Sequence, residues 1–84
     1  MVVTEVLRDL ILPLVEDKEA LSVTEVEAEN DRDVILLIQA NSNDIGRLIG
    51  KKGLMATSLR QVMQIPSRIL DQHIVIKFES INEN

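Results

Sequence analysis

The chain has no cysteine, tryptophan or tyrosine, and Phe78 is its one aromatic residue. Without thiols it can build neither a disulfide framework nor a thiolate site, which suits a reducing compartment. With a single ring, the core falls to Ile, Leu, Val and Met. No apolar run approaches the ~18 residues of a membrane span, and Glu5 and Asp9 stand where a secretory signal would be basic. The chain therefore reads as soluble and cytoplasmic. Glycine is scarce as well. Gly46, Gly50 and Gly53 are the only three, and all lie within "DIGRLIGKKGLMATSLRQ" (44–61).

What is present describes a small globular protein, with 45% apolar and 27% charged residues in 84 positions. We read 1–84 as one domain, of a size at which a lone core leaves only a few kcal/mol of net stability. The net charge of −5 hides a segregation. Between Ile45 and Leu70 lie Arg47, Lys51, Lys52, Arg60 and Arg68 with no acid, a local charge of +5. The remaining four cations face all 14 acids, leaving −10 elsewhere. Because salt screens fields beyond roughly 8 Å, a polyanion meets the local charge and not the average. The same five cations could equally do no more than solvate a helix.

Periodicity gives the elements. Val3, Val6, Leu7, Leu10, Ile11, Leu14 and Val15 recur at helical spacing, so a helix is expected over ~3–17, kinked by Pro13. "LSVTEVEAE" (21–29) reads as a strand with Glu25, Glu27 and Glu29 on a wet face and Val26 and Ala28 opposite. "NDRD" (30–33) is a turn, and the apolar run "DVILLIQA" (33–40) is the central strand. Asn41 caps a short helix ended by Gly50, with Asp44 near the positive end of its dipole. A further helix runs from about Leu54 towards Leu70, bent or ended by Pro66, and "HIVIKFE" (73–79) is a strand with Ile74, Ile76 and Phe78 inward.

The order is thus helix, strand, strand, helix, helix, strand, an α+β class, with "GKKG" joining the two middle helices. Glycines at both ends of so short a turn accept backbone angles that other residues avoid and bare the peptide N–H groups. Gly53 opens the next helix, whose unpaired donors attract an anion, and Lys51 and Lys52 add charge. The pattern is that of a phosphate clamp.

"IGRLIGKKG" (45–53), after two strands and before a helix, resembles the signature of the KH domain, whose Gly-x-x-Gly loop holds about four single-stranded nucleotides. Ile49 before Gly50, and Gly46 four residues upstream, sharpen the likeness. One helix and two strands precede the motif, which resembles the type II arrangement: a three-stranded mixed sheet with helices on one face. With "PLVED" and "VTEVEAE" near the start, nearly the whole chain resembles the small stand-alone bacterial KH proteins of the KhpA type. The resemblance implies no cofactor and a cytoplasmic RNA-binding protein, forming homodimers or pairing with a larger KH protein, linked to post-transcriptional regulation of cell elongation and division. Ser42 departs from a helix-starting proline in that family, Pro66 interrupts the helix after the loop, and the body is acidic.

Within this resemblance the RNA-binding residues are Gly46, Arg47, Ile49, Gly50, Lys51, Lys52 and Gly53, and the aliphatic groove candidates are Ile45, Leu48 and Leu54. Other motifs fit poorly. Lys51 is followed by Lys52 where a Walker loop needs a hydroxyl, and no Gly-x-Gly is present. His73, the only imidazole, has no thiol beside it, and the three glutamates are explained by a solvated strand, so neither an enzyme nor a metal site is expected. A KH fold kept as a protein-interaction unit is the alternative function, against which the doubly basic loop argues.

Two apolar stripes lie on the helix after the loop. Leu59, Val62, Ile65 and Ile69 suit the core, while Met55, Leu59 and Met63 are expected at an interface with a second chain, the alternative being that the first helix covers them.

Overall fold

The computed structural model describes residues 2–82, so the two ends of the 1–84 expectation lie outside the described residues. Helix α1 (Val3–Ile11) is followed by a 3-10 turn (Leu12–Leu14), β1 (Ser22–Val26), β2 (Asp33–Ala40), α2 (Ser42–Ile49), a second 3-10 turn (Lys51–Gly53), α3 (Leu54–Val62), α4 (Gln64–Leu70) and β3 (His73–Ser80). The sheet order is β1-β2-β3, with β1 antiparallel and β3 parallel to the central strand. A parallel β2–β3 pair needs a crossover, and α2, α3 and α4 supply it. The expected order and the mixed three-stranded sheet are both found.

Alternation along β2 decides which face is covered. Val34, Leu36, Ile38 and Ala40 are buried, while the residues between them are half-buried. The buried set packs with Leu7 and Ile11 of α1, Leu48 of α2, Leu59 of α3, Met63 and Ile76 in one core. The helices therefore share one face of the sheet.

Three local expectations change, and a fourth, left open, is decided. Helix α1 stops at Ile11, because Pro13 cannot donate to the ladder and the chain tightens into a 3-10 turn before extending at Val15. Strand β1 ends at Val26, which leaves Glu27 and Glu29 outside it. Glu25 pairs with Leu36, so it stands on the helix side of the sheet, while Val26 pairs with Ile35 on the open side. At an edge strand a long carboxylate side chain reaches solvent from the covered side. Pro66 bends its helix without ending it. Backbone bonds from Met63 to Leu59 (3.0 Å) and from Ser67 to Met63 (3.2 Å) carry the helix past the break, and Asp71 closes it in a left-handed conformation.

The largest correction concerns the stripes. Leu59 and Met63 are 4% and 1% exposed and Met55 packs against the core, whereas Val62, Ile65 and Ile69 are 45%, 65% and 64% exposed. The stripe expected at an interface is internal, and of the one assigned to the core only Leu59 is buried, while Val62, Ile65 and Ile69 lie in solvent. Spacing places residues on a common face but says nothing of the direction in which that face points.

Candidate nucleic-acid interface

The tight turn from α2 to α3 rests on glycine geometry. Gly50 has φ 80° and ψ 171°, and a Cβ there would stand 2.7 Å from Met55 Cβ and 2.8 Å from its amide nitrogen. Gly53 has φ 76°, again where a side chain is strained. Between them Lys52 itself takes φ 56°, an unusual value for lysine, so the turn throws both lysine side chains outward. Lys51 and Lys52 are exposed, and among the described residues neither has a carboxylate within ion-pair distance.

The two helix starts flanking this region differ. At α2 the side chain of Asn41 accepts from the Asp44 N–H (3.3 Å), and that of Asn82 accepts from the Ser42 N–H (3.0 Å). Helix α3 begins at Gly53 with no side-chain cap. The Leu54 N–H donates to the Lys51 carbonyl within the 3-10 turn, and the first-turn donors that follow have no side-chain partner beside the two exposed lysines.

Asp44 does more than favour a dipole. It is 1% exposed and accepts from the backbone N–H groups of Glu16 (2.9 Å) and Asp17 (3.0 Å). Arg47 donates to the same carboxylate at 2.8 Å and also pairs with the Glu16 carboxylate. The two backbone donors, with Arg47, hold the Asp44 carboxyl below the ordinary carboxylate range although burial works the other way. This knot ties the segment after α1 to α2. No sequence pattern reveals it, since its donors are main-chain groups 28 and 27 residues away. Arg47, expected on RNA, is thus engaged by two carboxylates.

The other site residues divide. Ile45 and Leu48 are 8% and 0% exposed, so they are core side chains and not groove walls. Ile49 is 36% exposed beside Gly50, and Leu54 is 66% exposed. Gly46 lies on the exposed side of α2 with nothing within 4 Å of a virtual Cβ. Sequence reasoning missed Arg60. Its guanidinium lies 5.7 Å from the Phe78 ring centre and donates to the Ile76 carbonyl of edge strand β3 at 3.3 Å. It lines a cleft of about 290 Å³ between α3–α4 and β3.

The family model of the KhpA/KhpB KH domain matches residues 4–78, from α1 into β3. The chain belongs to the KhpA/KhpB KH-domain family. The RNA-binding protein KhpA of Aquifex aeolicus (strain VF5) is 30% identical over 64 residues, covering 76% of this chain and 78% of that protein. Membership of this KH family supports RNA binding, and the family is not one of enzymes. Among the described residues no helix is long and apolar enough to cross a membrane, and no group of three potential metal ligands comes together.

Proposed function

We infer that this protein grips single-stranded RNA through the loop from Gly50 to Gly53, as one type II KH domain without catalytic activity. One observation carries the reading. Two lysines with no carboxylate partner among the described residues stand on a turn built by positive-φ glycines, at the start of a helix whose first donors have no side-chain cap. Phosphates of a flexible strand fit this arrangement, whereas a duplex keeps its bases paired and cannot splay them onto the protein. Titration of the protein with a single-stranded RNA octamer, followed by NMR, is expected to move the amide signals of residues 50–56 first. Signals that move only at Val62, Ile65 and Ile69, or none at all, would favour the protein-interaction module.

Self-association belongs to this reading with a changed surface. The solvent-facing row of Leu54, Val62, Ile65 and Ile69 replaces Met55, Leu59 and Met63 as the interface, with a second copy or the KH domain of a larger protein as its cover. Two loops on one particle raise the apparent affinity of a weak module. Sedimentation at micromolar concentration is expected to give a dimer that Ile65→Glu converts to monomer. The family resemblance also implies a cytoplasmic role in post-transcriptional regulation of cell elongation and division, to be checked by cell shape after deletion.

A further inference from the structure

Helix α1 buries one side and leaves a second apolar row in solvent. Leu7 and Ile11 are 0% exposed, whereas Val2 at the N-cap, Val6 and Leu10, at steps of four residues, are 55%, 38% and 38% exposed. The row is about 12 Å long at 1.5 Å per residue. Two acids border it. Glu5 follows Val2 and Asp9 follows Val6 at the three-residue step that makes helix neighbours, and both are exposed with no cation in ion-pair distance among the described residues. Arg8, two positions from Val6 and from Leu10, stands on the far side of the helix. Helix energetics account for Glu5 and not for Asp9. An acid in the first turn meets the positive end of the dipole, but Asp9 lies in the last turn of α1, where the dipole disfavours it.

We propose that this side of α1 docks a protein partner: a basic amphipathic helix that lays its own apolar row along Val2, Val6 and Leu10 and sets Lys or Arg side chains against Glu5 and Asp9. Charge selects this occupant. RNA would bring phosphates to carboxylates that nothing neutralises, on the part of the chain that carries −10. An α1–α1 contact between two copies would gather four carboxylates with no cation from either row. Anchors at four-residue steps are the spacing by which one helix is laid along another apolar surface. Position separates this surface from the RNA loop. Helix α1 packs on edge strand β1, whereas α4 packs on β3 at the opposite edge of the sheet. A partner on α1 and RNA at the loop can therefore be held at once, and the inference stands without the loop reading.

Synthetic peptides of about 18 residues, long enough to form an amphipathic helix, test it: one of Ala with a Leu row flanked by Lys, and a counterpart with Glu in place of Lys. Each is titrated into the isotope-labelled protein and followed by NMR. The Lys peptide is expected to move the amide signals of residues 3–12 and the methyl signals of Val6 and Leu10, while residues 50–56 stay still. The Glu peptide should move none of them. A scrambled Lys peptide of the same composition, which lacks the row, should bind at least about tenfold more weakly, the effect of losing an apolar anchor. Glu5→Lys together with Asp9→Lys should reverse the preference towards the Glu peptide. The mapping on the unmodified protein does not depend on any variant folding. Still signals at α1, equal binding of the scrambled peptide, or a preference unchanged by the double substitution overturns the proposal. Movement of the same α1 signals on raising the protein concentration alone, or on adding an RNA octamer, would give the row to a second copy or to RNA and overturn it equally.

Discussion

Three of the five cations in the acid-free segment 45–70 fall into two environments only one helical turn apart. Arg47 is locked between Asp44 and Glu16, where it helps to hold the segment after α1 against α2. Lys51 and Lys52, four and five positions later, have no carboxylate within reach among the described residues. A sequence count gives the three equal weight. The structure divides them into one cation engaged in the fold and two without a carboxylate partner among the described residues: Arg47 faces back towards the segment after α1, while Lys51 and Lys52 stand exposed on the positive-φ turn. Charge is available for recognition only where the fold has not already neutralised it.

That contrast can be broken most sharply at the loop. Replacing both lysines with Asp should lower affinity for a single-stranded RNA octamer about a hundredfold or more, since two charge-assisted contacts are lost. The melting temperature should barely move, because an acid is well tolerated at a helix start and Asp adopts the left-handed conformation of Lys52 more readily than most residues. With two phosphate contacts, the log–log salt dependence of binding by the unmodified protein should have a slope of about −1.4. An affinity that survives the double substitution at moderate salt would erase the distinction between the two groups of cations.

On the other side of the comparison, Asp44→Asn should reverse the pattern: a clear drop in melting temperature, with RNA affinity of the folded protein preserved. An amide can accept from one of the two N–H groups of residues 16 and 17 but sets its own donors against the other. The acid dependence carries a definite sign. The folded carboxyl releases its proton more readily than the unfolded one, so its stabilisation is complete above the ordinary carboxylate range and is lost as pH falls through that range towards the folded value. Thermal melts at descending pH should therefore show an acid loss in the parent protein that is smaller in Asp44→Asn. Parallel curves for the two would argue against the knot.

Arg47→Ala sharpens the same contrast with a smaller effect. RNA affinity should change by less than about threefold, against the collapse expected at the lysines, while stability drops because a buried carboxylate loses its charged donor. A large loss of RNA binding without loss of stability would return Arg47 to the interface. The smallest effect is expected at Gly46, a helix residue with open space beside it and no positive φ. Gly46→Ala should stabilise the fold by about 0.5–1 kcal/mol in urea titrations. It should also weaken octamer binding modestly if the strand passes close to α2, as a bare backbone position beside the loop invites. Unchanged binding would move the strand's path away from that helix.

Much of the molecule was already legible in the amino-acid sequence, because the signals are local. Period-two and period-3.6 patterns gave the strands and helices in order, Asn41 and Gly50 marked the limits of α2, and the clustered glycines and lysines marked the turn that distinguishes the family. Such signals need only neighbours along the chain. Tertiary structure alone decided the rest. Two apolar stripes on α3–α4 were visible, and only packing against the sheet chose Met55, Leu59 and Met63 for the inside, leaving Val62, Ile65 and Ile69 outside. Asp44 met its partners from 28 residues away, and Arg60 met Phe78 and Ile76 across the cleft. Periodicity sets which residues share a face; the rotation of that face, and the distant groups brought against it, follow from how the elements pack together.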